Sequence, residues 1–184
     1  YDLTFVGGEL DITKRLITLA ADAVSKTYGD TDPTLSVSIT SGSLGRVTVS
    51  DTLADVTGTL SRQAGQDVGS YDVELGSGAK SANYAITFET DNNAFVIDPL
   101  AITVTADDLT KTYGDADPSL TYESSVNLVT GDDFVGELSR ASGEDVNTYA
   151  ILQNTLAIDD GNEGKNYDLT FVGGELDITK RLIT

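Results

Sequence analysis

The sequence lacks four residue types on which much protein chemistry depends, because cysteine, histidine, methionine and tryptophan are all absent. Without cysteine, the chain can form neither disulfides nor a thiolate metal site, and it has no thiol nucleophile. Without histidine, it lacks the commonest general base and metal ligand. Without tryptophan, it lacks the aromatic ring best suited to stacking against a sugar. We therefore expect no catalytic residue and no enzymatic activity.

Basic residues are scarce as well, with 11 lysines and arginines against 30 acidic residues and a formal net charge of −19. Such a charge repels nucleic acids and anionic membranes, so neither is an expected partner. No apolar run approaches the ~18 residues that span a bilayer, and no secretion signal is recognisable. Because the chain begins with Tyr1, we interpret it as a piece of a longer protein whose targeting signals lie elsewhere.

What the chain does contain is repetition. The stretch YDLTFVGGELDITKRLIT occurs at residues 1–18 and again, unchanged, at residues 167–184. The motif KTYGDTDP at residues 26–33 returns as KTYGDADP at residues 111–118. Self-similarity at a regular spacing is typical of a tandem array in which each copy is one structural unit. We therefore predict that the chain is part of such an array.

The matching segments divide the chain into two full copies flanked by partial ones. Residues 1–14 are predicted to be the terminal hairpin of a preceding copy, residues 15–98 the first full copy, residues 99–180 the second, and residues 181–184 the start of a third. We expect residues 1–14 to be the least integrated segment, because the body of their own domain is absent. The first copy carries an insertion relative to the second, between Pro33 and Gly58.

Within each copy, apolar residues alternate with polar ones over short runs, which is typical of β-strands. Ile102, Val104 and Ala106 share one face of such a run. The predicted fold class is mainly β, with two tandem small antiparallel β domains, either sandwiches or β-grasp-like sheets, in an elongated arrangement. At most short helical turns are expected, around residues 51–56 and 131–135.

A pair of glycines, Gly173 and Gly174, separates two alternating runs near the end of the second copy. Glycines between two strands favour a tight hairpin turn, because they adopt positive φ angles readily. We therefore predict a hairpin in which the strand that begins at Tyr167 pairs antiparallel with residues 175–178.

Three motifs in the second copy carry a resemblance to a known family, in the order KTYGDADPSLTY, GDDFVGELSRASGEDVNTYAI and NYDLTFVGGELDIT. They resemble the MBG, or YDG-type, domains that recur in tandem in very large bacterial surface adhesins. The resemblance covers nearly all of residues 101–179, and the first copy departs from it at SGSLGRVTVSDTLADVTG. It implies a mostly β domain, an extracellular location on the bacterial cell surface and a place in the stalk of an adhesin.

The motif KTYGDADP has the composition of a tight turn. Gly114 can adopt positive φ, and Asp115 and Asp117 can accept hydrogen bonds from nearby backbone N–H groups. A ligand-binding role would need convergent groups from elsewhere in the fold. The recurrence of the motif in both copies favours an architectural role.

An arginine recurs in the motif LSR, as Arg62 in the first copy and Arg140 in the second. Asp67 and Asp145 follow these arginines along the chain. We predict ion pairs that tether a strand to a loop, each worth about 0.2–1 kcal/mol if exposed. Anion binding by these arginines is the alternative.

No cofactor and no defined metal site are predicted, although calcium is an alternative. The segment DDGNEGKN at residues 159–166 gathers oxygen ligands in a glycine-containing loop, but it lacks the ligand spacing of an EF-hand. We therefore interpret it as a solvated loop. Asp22, Asp107 and Asp108 lie near the predicted domain junctions, where a cation shared with a neighbouring domain would stiffen the joint.

Two functions from different classes fit these observations. In the first, each copy is a stalk or spacer unit whose partners are the neighbouring repeats of the same chain, and the fragment itself is a monomer. In the second, the copies bind a polysaccharide or a partner protein, which would need exposed tyrosines such as Tyr84, Tyr122 or Tyr149. The alternating pattern directs Tyr84 and Tyr149 toward the core, which favours the spacer. Association between arrays on adjacent cells is disfavoured by the acidic charge.

Overall fold

The structure is a computed structural model that describes residues 1–45, 51–76, 82–90 and 92–183. The insertion predicted in the first copy falls partly on residues 46–50, and residue 184 of the predicted third copy also lies outside the described residues. The elements of the first copy are β1 (Arg15–Ala21), β2 (Val24–Thr27), β3 (Val37–Gly42), α1 (Leu53–Thr57), β4 (Ser61–Arg62), β5 (Gly69–Tyr71), β6 (Val73–Glu74), β7 (Tyr84–Phe88) and β8 (Phe95–Asp98).

The second copy continues with strands alone. They are β9 (Leu100–Ala106), β10 (Leu109–Thr112), β11 (Tyr122–Ser124), β12 (Asp133–Val135), β13 (Ser139–Arg140), β14 (Thr148–Leu152), β15 (Ala157–Asp159), β16 (Tyr167–Val172) and β17 (Glu175–Thr179). The predicted mainly β fold class is confirmed. So is the alternation along β9, since Ile102, Val104 and Ala106 are buried while Thr105 between them is exposed.

The strands form small sheets in which parallel and antiparallel pairs are mixed. In the first copy, β1 lies between β3, with which it pairs antiparallel, and β7, with which it pairs parallel. In the second copy, β9 lies in the same way between β11 and β16. A second sheet of that copy has the order β10-β17-β14-β13, with β10 parallel to β17. The repeated sequence thus folds into repeated sheets, which also contain parallel pairs that an antiparallel prediction does not include.

The chain divides into two compact units by its internal packing. The first unit comprises residues 1–25, 32–65 and 70–96, and the second comprises residues 26–31, 66–69 and 97–184. Two short segments of the first sequence copy therefore pack as parts of the second unit. They are the turn at residues 26–31, which contains the TYGD motif, and the loop at residues 66–69.

Helix α1 belongs to the core of the first unit. It follows Thr52, whose hydroxyl accepts a hydrogen bond from the N–H of Asp55, while the Asp55 carboxylate accepts one from the N–H of Thr52. This reciprocal capping stabilises the start of the helix and places Val56 in the core. The buried cluster consists of Ile17, Leu19, Val56 and Tyr84. The helical turn predicted around residues 51–56 is confirmed.

The second unit contains two buried clusters that hold its sheets together. One consists of Ile102, Ile158 and Tyr167, against which Tyr28, Leu128, Val129 and Phe134 pack. The other consists of Ala106, Ile151 and Leu176, against which Leu109, Leu138 and Phe171 pack. Burying one large aliphatic side chain contributes about 1.5–3 kcal/mol relative to leaving it exposed, so each cluster stabilises the sheets that it joins.

The hairpin predicted around Gly173 and Gly174 is wrong. β16 pairs parallel with β9, while β17 pairs with β10 and β14, so the two strands lie in different sheets. Neither glycine has a positive φ angle. A Cβ atom on Gly173 would lie 2.9 Å from the carbonyl oxygen of Ile151, and one on Gly174 would lie 2.7 Å from that of Ala106. The glycines are there because the chain passes closely over other backbone as it crosses between sheets.

The second predicted helical turn, at residues 131–135, is also wrong. Gly131 has a φ angle of 107°, which lies outside the helical region. The following residues, Asp133–Val135, form β12 and pair antiparallel with β15. The first copy has the capping pair Thr52 and Asp55 at the corresponding place, whereas the shorter segment of the second copy turns directly into a strand.

The segment from Tyr1 to Lys14 contains no strand, and all of its residues are exposed. Its apolar side chains are exposed to solvent, as Phe5 and Leu10 show at 88% exposure each. No strand pairing forms the hairpin predicted for these residues, and their assignment to a preceding copy stays a prediction.

Candidate functional site

The recurring TYGD motif forms a tight turn, as its composition predicts. In the first copy, Gly29 adopts a φ angle of 86°. The N–H of Asp30 donates to the carbonyl oxygen of Thr27 over 3.0 Å, and the N–H of Tyr28 donates to that of Asp98 over 2.8 Å. These backbone hydrogen bonds hold the turn without using the Tyr28 side chain, which is therefore available for packing.

The Tyr28 side chain packs against Tyr167 in the second unit. The ring centroids are 5.4 Å apart and the rings stand at 72°, an edge-to-face arrangement that suits the aromatic quadrupoles. Both hydroxyls donate to Oδ2 of Asp132, over 3.1 Å from Tyr28 and 2.6 Å from Tyr167. The N–H of Val129 donates to the Tyr167 hydroxyl oxygen over 2.8 Å. One carboxylate oxygen thus joins two rings that are far apart in the sequence.

The protonation of the two tyrosines follows from their surroundings. Burial raises the pKa of Tyr28 and of Tyr167, and the hydrogen bonds to the Asp132 carboxylate raise both further. A protonated hydroxyl can donate a hydrogen bond, whereas an ionised one cannot. The shared interaction with Asp132 therefore persists through neutral and mildly alkaline pH.

Gly29 is required at this contact for two reasons. Its φ angle of 86° lies in the left-handed region that favours glycine. A Cβ atom there would also lie 2.6 Å from Cγ2 of Val129. The equivalent residue of the second copy, Gly114, has the same φ angle of 86°. A Cβ atom on Gly114 would approach only the side chain of Arg181, at 3.7 Å.

The loop at residues 66–69 packs within the second unit against Asn166, which is 0% exposed. Its Oδ1 accepts hydrogen bonds from the N–H of Val68 over 2.8 Å and from Nδ2 of Asn162 over 3.0 Å. Its Nδ2 donates to Oδ1 of Asp67 over 3.1 Å. A buried amide is costly unless it is hydrogen-bonded, and here both of its polar atoms have partners.

Together these residues form one contact, which we call the YGD contact. Its first side consists of Tyr28, Gly29, Asp67 and Val68, and its second side consists of Val129, Asp132, Asn166 and Tyr167. All of these residues lie in the second unit. The first side comes from the first sequence copy and the second side from the second copy. Ring packing and buried hydrogen bonds therefore attach one copy to the next.

A charged cluster binds the KTYGDADP motif at residues 111–118 to other residues of the second copy. Nζ of Lys111, which is 8% exposed, donates to Asp117 and to Glu144 over 2.6 Å each. Arg140 pairs with the same two carboxylates, over 2.7 Å with Asp117. Hydrogen bonds from Arg140 and Lys111 lower the pKa of Asp117 to about 2, and hydrogen bonds from Lys111 and Arg140 also lower the pKa of Glu144.

The ion pairs predicted for Arg62 and Arg140 form, but the predicted partners are corrected. Arg140 binds Asp117 and Glu144 rather than Asp145, and Arg62 binds Asp32 over 2.6 Å. Asp32 and Asp117 are the last acids of the KTYGDTDP and KTYGDADP motifs. The sequence argument looked for a partner a few positions away along the chain, whereas the fold brings the motif to the arginine from a distance.

One position near the motif differs between the copies in charge. Gln66 of the first copy occupies the place of Glu144 in the second. Nζ of Lys26 donates to Oε1 of Gln66 over 2.8 Å, in the way that Lys111 donates to Glu144. Both copies keep a hydrogen bond from the lysine to this position, but the first copy has a neutral amide where the second has a carboxylate.

The segment at residues 159–166, considered above as a calcium site, is held by its own backbone. Oδ1 of Asp160 accepts hydrogen bonds from the N–H groups of Asn162 and Gly164 over 2.8 Å each, and Oδ2 accepts one from Asn166 over 2.9 Å. Burial alone would raise the pKa of Asp160, but these backbone hydrogen bonds outweigh it and lower the pKa. The carboxylate shapes the loop that presents Asn166.

The three aspartates near the predicted junctions also serve local hydrogen bonds. Asp22 accepts from the hydroxyl of Ser38 over 2.5 Å, Asp107 from that of Thr121 over 2.5 Å, and Asp108 from the N–H of Glu175 over 2.9 Å. Within the part of the chain that the structure describes, no group of three or more acidic side chains could hold a metal ion. The calcium alternative gains no support from this arrangement.

The tyrosines considered for ligand binding do not form an exposed cluster in the described ranges. Tyr84 is 2% exposed, and Tyr122 and Tyr149 are half-buried. Tyr122 packs edge-to-face against Phe134 at 5.4 Å, and Arg140 lies over the ring of Tyr149 at 5.5 Å. The expectation that Tyr84 and Tyr149 face inward is confirmed.

The second side of the YGD contact was not identified from the sequence. Asp132, Asn166 and Tyr167 lie in segments predicted as a helical turn, a solvated loop and a strand. A signal did exist, because the pair Asn-Tyr recurs at residues 83–84 and 166–167. An asparagine preceding a core tyrosine in both copies indicates a shared polar role that β-strand alternation does not explain.

Comparison with known proteins identifies the repeated unit. The family model for the MBG domain (YGX type) matches residues 17–95 and again residues 102–177. No curated protein and no solved structure matches the chain. None of the helices in the described ranges is long and apolar enough to cross a membrane. The two matches cover most of the chain and coincide with the two sequence copies, so the chain belongs to the MBG domain family of the YGX type and contains two such domains in tandem.

Proposed function

We propose that this chain is a stalk or spacer segment of a bacterial cell-surface adhesin, in which MBG domains in tandem extend a distal binding region from the cell. The YGD contact is the observation that carries this proposal. A repeat that uses its most distinctive motif to bind the next copy serves continuity along the array. The membership in the MBG family supports the extracellular setting.

The strand order of each copy is suited to resist pulling. In the second copy, the opening strand β9 pairs parallel with β16 over six residue pairs, from Leu100 with Tyr167 to Thr105 with Val172. In the first copy, β1 pairs parallel with β7 over five. When the ends of a domain are pulled apart, a parallel pair of this kind is loaded in shear. Several hydrogen bonds must then break together rather than one after another.

The composition of the chain fits the same role. No disulfide can stabilise it, because cysteine is absent, so resistance to force must come from strand pairing and core packing. The net charge of −19 favours solubility and opposes collapse of neighbouring chains onto each other. Neither feature requires a ligand.

The proposal can be tested by single-molecule force spectroscopy on the full chain with paired cysteine handles, which are specific because the chain has no cysteine. Handles at Asp98 and Lys180, both exposed, pull the second copy from its two ends. Handles at Asp98 and Lys165 instead load the β9 and β16 pair from one end. We expect a distinctly higher unfolding force in the first geometry. It applies force at the start of β9 and at the end of β17, which loads the parallel pairs β10 with β17 and β9 with β16 in shear, whereas the second geometry peels β16 from β9.

Equal unfolding forces in both geometries would contradict a load-bearing role. So would unfolding near the detection limit when the chain is pulled by the handles at Asp98 and Lys180. Melting curves of both cysteine variants without force serve as the control. They should agree with each other, since all three handle positions are exposed.

The alternative, a binding module for a polysaccharide or a partner protein, has less support. Its expected aromatic surface is missing from the described residues, because Tyr84 is buried and Tyr122 and Tyr149 pack against their neighbours. A glycan array probed with the labelled chain tests it directly. Saturable binding to a defined glycan would favour the module over the spacer.

A further inference from the structure

The turn of the second copy has the same backbone as the turn of the first, but its tyrosine is uncovered. The N–H of Tyr113 donates to the carbonyl of Thr179 over 2.8 Å, and the N–H of Asp115 donates to that of Thr112 over 3.0 Å. These distances equal those at Tyr28 and Asp30 in the first turn. Yet Tyr113 is 48% exposed, whereas the Tyr28 side chain packs in a core cluster.

The loop beside this turn is uncovered too. Val146, which corresponds to Val68 of the first copy, is 45% exposed. A cleft of about 430 Å³ lies between the turn, the loop and the chain after β17, and its lining consists of Tyr113, Asp145, Val146, Lys180, Arg181 and Ile183. In the YGD contact, Asn166 lies against the corresponding residues Asp67 and Val68. The cleft is therefore the place that an asparagine fills in the contact already formed.

The first copy carries the complementary side of the contact. The Tyr84 hydroxyl donates to Oδ2 of Asp51 over 2.8 Å and accepts from the N–H of Gly45 over 2.8 Å. Tyr167 makes the same two hydrogen bonds, to Asp132 and from Val129. In the second copy, the carboxylate oxygen that binds Tyr167 also accepts the hydroxyl of Tyr28. Asp51 binds the core tyrosine of its copy as Asp132 does, so the two carboxylates occupy corresponding places.

Asparagine burial distinguishes the occupied side from its counterpart. Asn166 is 0% exposed in the YGD contact, whereas Asn83, at the same place before the core tyrosine, is exposed. The backbone around the two is alike, because the carbonyl of Asn83 accepts from the N–H of Arg15 over 2.9 Å and that of Asn166 accepts from Leu100 over 3.0 Å. Asn166 is buried where Asp67 and Val68 of the docked loop and its own neighbour Asn162 bind its side chain.

We propose that Tyr113 and Val146 form a donor surface, and that Asp51, Asn83 and Tyr84 form an acceptor surface, for head-to-tail binding between copies of this chain. The donor surface of one copy binds the acceptor surface of a second copy and reproduces the YGD contact between molecules. This binding rests on the geometry of the contact and goes beyond the role as a spacer.

Such a contact is heterologous, because the two surfaces differ, and it can continue from copy to copy. It is also small, and small contacts bind weakly. Two segments lie beside the surfaces. Residues 12–14 line a pocket with Asn83, and Arg181 donates to the carbonyl oxygen of Tyr113 over 2.9 Å and pairs with Asp115. Both segments must move aside, so binding between separate chains is expected only near millimolar concentration.

Intermolecular paramagnetic relaxation tests this binding, because it detects weak complexes. The spin label is attached to Ala116→Cys, an exposed position next to the donor turn. This chain is mixed at about 1 mM with the unchanged, cysteine-free chain, which carries no spin label and is enriched in ¹⁵N. We expect selective loss of amide signal intensity at Gly45 and Asn83 of the ¹⁵N chain. The intensities around Val129 and Asn166 should be retained, since that acceptor is already occupied.

Two variants make the outcome decisive. Tyr113→Ala in the spin-labelled chain should abolish the signal loss, and Tyr113→Phe, which keeps the ring and removes the hydroxyl, should reduce it. Tyr113 is half exposed, so neither change is expected to unfold the chain. No signal loss at Gly45 and Asn83, a uniform loss across the spectrum, or a loss that Tyr113→Ala leaves unchanged would each overturn the proposal. None of these results would bear on the force test of the spacer function.

Discussion

Tyr28 and Tyr167 donate their hydroxyl hydrogens to the same carboxylate oxygen, Oδ2 of Asp132, although they belong to different copies of the repeat. The Tyr-Gly-Asp sequence at residues 28–30 thus has a physical role in this chain. Its tyrosine binds the next copy, its glycine permits the close approach, and the turn that carries both is fixed by backbone hydrogen bonds. The predictions below test each part of the contact separately.

Asp132→Asn tests the shared carboxylate. The amide keeps the shape but loses the charge that two hydroxyls share, and hydrogen bonds to charged groups contribute about 1.5–3 kcal/mol. We expect the second unit to lose about 1–3 kcal/mol in its free energy of unfolding by urea. Asp133→Asn at the exposed neighbouring position is the control, with a change within about 0.5 kcal/mol. Equal effects of the two variants would remove Asp132 from the contact.

Asn166→Ala tests the buried amide, and the repeat provides its own matched control in Asn83→Ala. At Asn166 the change leaves the N–H of Val68 without its acceptor, and each buried unsatisfied group costs about 1–3 kcal/mol. At Asn83 the side chain is exposed, so the change should stay within about 0.5 kcal/mol. Hydrogen exchange of the Val68 amide is the measurement, and it should accelerate only in Asn166→Ala. Unchanged protection of that amide would contradict the contact.

Gly29→Ala and Gly114→Ala separate backbone strain from close approach. Both glycines have a φ angle of 86°, so each alanine incurs the left-handed conformational cost of about 1–2 kcal/mol. Only at Gly29 does the new Cβ atom meet another side chain at 2.6 Å. We therefore expect Gly29→Ala to lower the melting temperature more than Gly114→Ala. The reverse order would show that Val129 does not limit the approach of the turn.

Acidification tests the charged cluster of Lys111, Asp117, Arg140 and Glu144. The folded-state pKa of Asp117 is lowered to about 2, against about 3.9 in an unfolded chain. Its contribution to stability is therefore complete above about pH 4 and is lost as the pH falls through about 2. We expect a carboxyl ¹³C titration of Asp117 with a midpoint near 2, and stability that falls below pH 4.

The control for the acid prediction is Asp117→Asn. This variant should be less stable than the parent at neutral pH, and its stability should fall less between pH 4 and pH 2, because the group that titrates there is gone. A normal Asp117 midpoint near ~3.9 would show that Arg140 and Lys111 do not hold the carboxylate.

The strands could be predicted where one face is buried and the other is wet, as along β9, because burial imposes period-two alternation on the sequence. The pairing partners could not. Gly173 and Gly174 predict a hairpin because the local sequence favours a turn. The actual reason for the glycines is the close approach of the Ile151 and Ala106 backbone, which only the fold shows. Parallel pairs such as β9 with β16 are likewise set by long-range packing.

The contact site was predictable only in part, for a related reason. The TYGD turn follows from its own residues, since Gly29 adopts the positive φ angle and the N–H of Asp30 closes the turn on Thr27. Its binding partner does not, because Asp132 lies 104 positions from Tyr28. The capping of backbone N–H groups predicted for Asp115 and Asp117 is wrong, because these carboxylates pair with basic side chains instead. The insertion near the start of α1 also shifts the corresponding acid of the first copy, Asp51, relative to the other motifs. Comparison of Asn83 with Asn166 is informative only once their different burial is known.

The inclusion of residues 26–31 in the second unit has a consequence for the order of events during synthesis. The turn leaves the ribosome long before Asp132 and Tyr167 are translated. The Tyr28 side chain therefore stays exposed to solvent until the second copy is complete. Closing so long a segment of chain has an entropic cost that slows the final step. The first copy therefore completes its packing only after the second has been made.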